Sequence, residues 1–147
     1  MRVAVIGANG RIGSSLLTRF QEAGGFEPVA VCRNAMGAAL VDGAGCEVRH
    51  GPIAESESAR RLLGDCDVAI NCAWAVGLPG ESRRRNEAIV RSICAVPGVK
   101  AAVFFSSIAV YGTCIDATRS TFAAASLSMA CAPIPLDATP ACTSAGT

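Results

Sequence analysis

The chain has 147 residues, a length that suits one domain. Hydrophobic residues make up 51% and charged residues 17%, enough apolar material for a core. A net charge of +1 and 5% aromatic residues give no electrostatic footprint for nucleic acid or an acidic membrane surface, and no base-stacking platform.

Short apolar strands alternate with helical stretches. Residues 3–6 form a continuous apolar run, as in a parallel strand covered on both faces. A helix follows over 10–23, with Ile12, Leu16, Phe20 and Ala23 on one face and Gly24-Gly25 as its stop. Residues 29–32 read as a second strand and 46–49 as a weaker third. A short helix over 54–63 turns Ala59, Leu62 and Leu63 inward. Residues 67–73 are a strong fourth strand. A helix over 81–96 puts Ile89, Ile93 and Val96 on one side, and residues 99–105 are a fifth strand. This β-α repeat implies right-handed crossovers and a Rossmann-type doubly wound parallel sheet, here incomplete. Residues 1–112 are therefore read as one nucleotide-binding α/β domain. Residues 113–147 differ: they are rich in Ala, Ser, Thr, Pro and Cys, lack lysine and show no clear period. Such a tail is what an out-of-frame reading of a GC-rich gene gives, so a frameshifted or truncated product is the expectation it raises.

No apolar run reaches the roughly 18 residues of a membrane span, and the opening six residues are too short for a signal peptide. A cytoplasmic location is the default. The 8 cysteines form no C-x-x-C pair and His50 is the only histidine, so no metal site is expected. The cysteines read as reduced, small hydrophobes.

Five stretches carry chemistry. Gly7-Ala8-Asn9-Gly10-Arg11-Ile12-Gly13 follows a strand and opens a helix. Gly7 permits the sharp turn, Gly10 lets backbone approach a phosphate, and Gly13 allows close helix–strand packing. Amides at the helix start, around Asn9, Arg11 and Ile12, then face a pyrophosphate. An ordinary glycine-rich turn is the alternative. Arg33 stands just past the second strand, where NAD-binding folds carry an acid on the ribose. An arginine fork instead suits a 2′-phosphate, which favours NADP, with NAD as second choice. A solvated surface arginine is the alternative. Ala73 and Trp74 sit at the carboxyl edge of the fourth strand, where Ala73 lets a cofactor pass and Trp74 lines the substrate side or acts as a lid. Asn86 shares a helix face with Ile89, Val90 and Ile93 and points toward the sheet. Ser106-Ser107-Ile108-Ala109-Val110-Tyr111-Gly112 ends the fifth strand, which aims Ser106 and Ser107 at a bound nicotinamide.

These motifs, in this order and spacing, resemble the extended short-chain dehydrogenase/reductase family, which includes NAD(P)-dependent epimerases and dehydratases. The resemblance covers residues 1–112 and implies hydride transfer at the nicotinamide. It maps Gly7, Gly10, Gly13, Arg33, Ala73 and Asn86 to cofactor-side positions and Ser107 to the catalytic serine; Tyr111 is not the family's catalytic tyrosine. Pro52 stands where the family usually has an aspartate near adenine. No tyrosine or lysine follows Tyr111, so the family's Y-x-x-x-K is lacking, as are its last strands and substrate domain. The implied protein is the NAD(P)-binding domain of an epimerase/dehydratase-like oxidoreductase. Its partners are the dinucleotide and a small-molecule secondary alcohol or ketone, nucleotide sugars among the candidates. Its catalysis is expected to be impaired, and a non-catalytic NADP-binding sensor or a nonfunctional fragment remain alternatives. The long helix over 81–96 is one the family uses in homodimers, and the oligomeric state stays open.

Overall fold

A computed structural model of the protein describes residues 1–105. In chain order it holds β1 (Arg2–Ile6), α1 (Arg11–Ala23), β2 (Glu27–Cys32), α2 (Ala35–Ala39), β3 (Glu47–His50), α3 (Ser56–Leu63), β4 (Val68–Asn71), α4 (Pro79–Cys94) and β5 (Ala101–Phe104). The strands form one parallel sheet in the order β3-β2-β1-β4-β5. The chain runs outward from β1 to β2 and β3, then returns to the other side of β1 for β4. That reversal leaves a crevice beyond the carboxyl ends of β1 and β4.

Apolar residues on both faces of β1 and β2 build two cores. Ala4, Ile6, Val29 and Val31 face α3 and α4, where they meet Leu62, Leu63, Ile89 and Ile93. Val5, Ala30 and Cys32 face the other way, toward Leu17 and Val41. This double burial explains why these strands read as unbroken apolar runs. The sequence-based expectation of a Rossmann-type α/β sheet is borne out over the described residues. The boundary at residue 112 and the tail over 113–147 lie outside them.

Three local expectations need correction. Helix α1 buries Gly13 and Leu17, with Leu16 and Phe20 half-buried, while Ile12 is 49% exposed and Ala23 is also exposed. The cause is Gly13, which must lie against Gly7 and thereby fixes the rotation of the helix about its axis. Val90 is 40% exposed, because Ile89 and Ile93 occupy the centre of the buried face of α4. Helix α2 was not anticipated: it is five residues long, and its start is fixed by the Asn34 side chain, which accepts a hydrogen bond from Gly37 N at 2.9 Å.

Charged side chains gather at the amino ends of the strands. Arg49 donates to both carboxylate oxygens of Asp65, at 2.6 and 2.8 Å, and also to Glu47. Arg2 pairs with Glu47 and Asp65, and Lys100 pairs with Asp67. The guanidinium of Arg49 holds the Asp65 carboxyl well below the usual carboxylate range, and it lowers Glu47 in the same direction. Among the described residues no helix is long and apolar enough to cross a membrane.

Candidate dinucleotide-binding site

A cavity of about 310 Å³ opens at the crevice between β1 and β4. Its floor and walls are the ends of β1, β2 and β4 and the loops that follow them: Ile6, Gly7, Asn9, Gly10, Val31, Cys32, Arg33, Asn34, Gly51, Ile53, Cys72, Ala73, Trp74, Ala75 and Ile89.

Gly7 has φ +77°, which L side chains rarely adopt, and a Cβ there would lie 2.9 Å from Ala73 N. Its amide donates to Val31 O at 2.8 Å, which ties the turn to the end of β2. Gly13 sits beneath this turn, where a Cβ would come within 2.4 Å of Gly7 O. Gly10 N donates to Gly7 O at 2.9 Å, and the first helical bond of α1 runs from Ser14 N to Gly10 O. The amides of Arg11, Ile12 and Gly13 meet no acceptor among the described residues, no side chain caps the helix, and no acid lies in its first turn. The helix start is thus a set of open donors at the positive end of a dipole. Gly10 is exposed beside it, so none of the described residues shields that end.

Arg33 is exposed and is the one charged residue among the cavity-lining residues described. Gly51 and Ile53 line the cavity on either side of Pro52, which does not line it. Burial pushes the Cys72 thiol up to about 11 and raises Cys32 as well, so both are neutral thiols near neutral pH.

The loop after β4 is held by two asparagines. Asn71 is buried; its side-chain oxygen accepts from Ala73 N and its amide donates to Ala73 O, both at 3.3 Å. Asn86 on α4 accepts from Ala75 N at 2.9 Å and donates to Ala75 O at 3.0 Å and Ser82 O at 2.8 Å. Ser82 Oγ donates to Ala75 O.

The structure therefore brings Gly7, Asn9, Gly10, Arg33, Ala73 and Trp74 together around one cavity. Arg11, Ile12 and Gly13 stand just behind it at the start of α1. Asn86 is half-buried and turns its amide to the loop after β4, so it does not line the cavity. Ser106, Ser107 and Tyr111 lie outside the described residues. Sequence reasoning missed Asn71; a lone polar residue closing an apolar strand, Val68 to Ile70, was the available signal.

Compared with known protein families, residues 7–130 match a family described as NAD(P)H-binding. The chain belongs to that NAD(P)H-binding family. No curated protein matches the sequence. Among solved structures it is similar to UDP-N-acetylglucosamine 4-epimerase from Bacillus cereus, at 19% identity and TM-score 0.62, over 77% of this chain and 40% of that one. It is similar to the Citrobacter sp. triphenylmethane reductase complexed with NADP(H), at 21% identity and TM-score 0.62, over 77% and 40%. It is also similar to a short-chain dehydrogenase/reductase superfamily protein from Agrobacterium tumefaciens with bound NAD, at 18% identity and TM-score 0.57, over 76% and 34%. The chain thus spans about two-fifths or less of the length of these structures. The family match bears out nicotinamide-dinucleotide binding, and the likeness to these structures shows that the chain shares their fold. The ligand of this NAD(P)H-binding domain is a nicotinamide dinucleotide.

Proposed function

We propose that the cavity holds NADP, with its pyrophosphate against the start of α1 and its 2′-phosphate on Arg33. The observation that carries this reading is the glycine turn: Gly7 and Gly13 leave no room for side chains, and the amides that follow meet no acceptor among the described residues. Backbone packed this tightly fixes the strand end against the helix start, and the unpaired donors there suit a phosphate group. Arg33, exposed and without an ion pair among the described residues, offers a fork of donors to a second phosphate. Asn9, Ala73 and Trp74 line the path between the glycine turn and the substrate side, and Asn71 and Asn86 fix that path from behind.

When bound, the dinucleotide supplies a hydride at nicotinamide C4. The intact protein would use it on a secondary alcohol or ketone, a nucleotide sugar being one candidate, with Ser107 orienting the substrate oxygen and Ser106 beside the nicotinamide. Residues 112–147 carry no tyrosine or lysine, so this stretch offers Ser107 no phenol–ammonium pair to move the proton. This chain therefore binds cofactor with little turnover, as an impaired catalyst or as a non-catalytic sensor.

Titration with NADPH and NADH, followed by nicotinamide fluorescence, tests the reading. Saturable binding with NADPH about tenfold or more tighter than NADH is expected. A folded sample that binds neither nucleotide overturns it.

A further inference from the structure

The rim next to the cavity has a chemical character of its own. After β4 the chain runs Ala73-Trp74-Ala75-Val76-Gly77-Leu78, six residues without a charged or hydroxyl side chain. Trp74 is 60% exposed, Val76 83% and Leu78 75%. Phe105 follows β5 at the same sheet edge, where its amide donates to Asn71 O, and it too is partly exposed. The rim is continuous with the cavity, since Trp74 and Ala75 line both. It is also held in shape: the Ala75 peptide is fixed through both its N–H and its C=O by Asn86 and Ser82. A loop with this much exposed apolar surface would ordinarily be free to collapse, yet three hydrogen bonds hold it open.

We infer that this rim is a substrate subsite for an apolar, aromatic carbonyl compound, seated against Trp74 beside the dinucleotide. The inference rests on the cofactor reading above. A nucleotide sugar brings a diphosphate that needs several donors, and among the described residues the rim offers no basic side chain. On α4, Arg83 pairs with Glu87 and Arg85 with Glu81, while Arg84 is exposed, and none of the three lines the cavity. An aromatic ligand needs only apolar area and an aromatic face, which Trp74, Val76, Leu78 and Phe105 supply.

Trp74 is the only tryptophan, so its emission reports on this rim directly. The full chain is saturated with NADPH, binding being verified by calorimetry, and titrated with benzophenone or with UDP-glucose. Saturable quenching by benzophenone, about tenfold tighter than any response to UDP-glucose, is expected. Val76→Ser/Leu78→Ser, at two exposed positions off the cavity wall, should weaken benzophenone several-fold and leave NADPH affinity as it was. Saturation by UDP-glucose but not benzophenone overturns the subsite while the cofactor reading stands. So does benzophenone binding that ignores the double substitution. Emission that shifts with protein concentration alone would put a second copy of the chain on Trp74 and likewise overturn it. Failure of NADPH to bind overturns the cofactor reading, and the subsite with it.

Discussion

Gly13 lies so close to Gly7 that a methyl group on it would sit 2.4 Å from the Gly7 carbonyl oxygen and 2.8 Å from Ala8 Cα. Both obstacles are backbone, so neither can swing aside. The contact sets how closely α1 approaches β1 and which of its faces is buried.

Gly13→Ala therefore sets two effects against each other. Alanine is the better helix former by about 1 kcal/mol, whereas overpacking costs about 1–3 kcal/mol or more. With backbone on the far side of the contact, overpacking wins. A lower urea midpoint is expected, together with a loss of NADPH affinity, because the helix start must shift away from Gly7. Unchanged stability would show that α1 adapts without cost.

Arg33→Ala separates affinity from folding. The side chain is exposed and makes no ion pair among the described residues, so thermal stability should hold. A charge-assisted bond to the 2′-phosphate contributes about 1.5–3 kcal/mol, which is roughly 10- to 100-fold in affinity. NADPH binding should fall by that factor while NADH binding stays level, as calorimetry would read. An equal loss for both nucleotides would remove Arg33 from the 2′-phosphate.

Asn86→Leu leaves Ala75 N without its acceptor and Ala75 O with Ser82 Oγ alone. A buried polar group stripped of its hydrogen bond costs about 1–3 kcal/mol. A lower unfolding midpoint is expected, with Trp74 emission shifted as the loop relaxes. Asn86→Asp keeps the acceptor for Ala75 N but sets a carboxylate against Ala75 O and Ser82 O, so it should rescue only in part.

Acid should destabilise the protein through the strand amino ends. Asp65 and Glu47 have folded-state values depressed, first of all by hydrogen bonds from Arg49. A depressed carboxylate contributes stability above its unfolded value, about 4, and that contribution is lost as pH falls through the folded value. Unfolding midpoints should drop on acidification below about pH 4, less so in Arg49→Leu. Half-exposed pairs are screened, so added salt should shrink the effect.

The sequence revealed most clearly what burial on two faces enforces. Val3–Ile6 and Val29–Cys32 were legible because neither face can tolerate a polar residue. The glycine turn was legible because its spacing reflects steric limits. The orientation of α1 was not: an apolar stripe through Ile12 is the better hydrophobic pattern, but backbone contact at Gly13 overrides it. Helix α2 was too short to show a period and carries Gly37 at its centre. Asn86 could be assigned to an inward face, whereas its partner, the Ala75 peptide, depends on a loop path that periodicity does not encode.

The carboxylates that pair with Arg2, Arg49 and Lys100 sit at the opposite end of the sheet from the glycine turn, and among the described residues the cavity wall carries no Asp or Glu. Robustness and recognition are thereby assigned to opposite poles of one sheet. Tuning the tolerance to acid need not alter the grip on a ligand, and re-engineering the ligand's phosphate contacts leaves the electrostatic clasp intact.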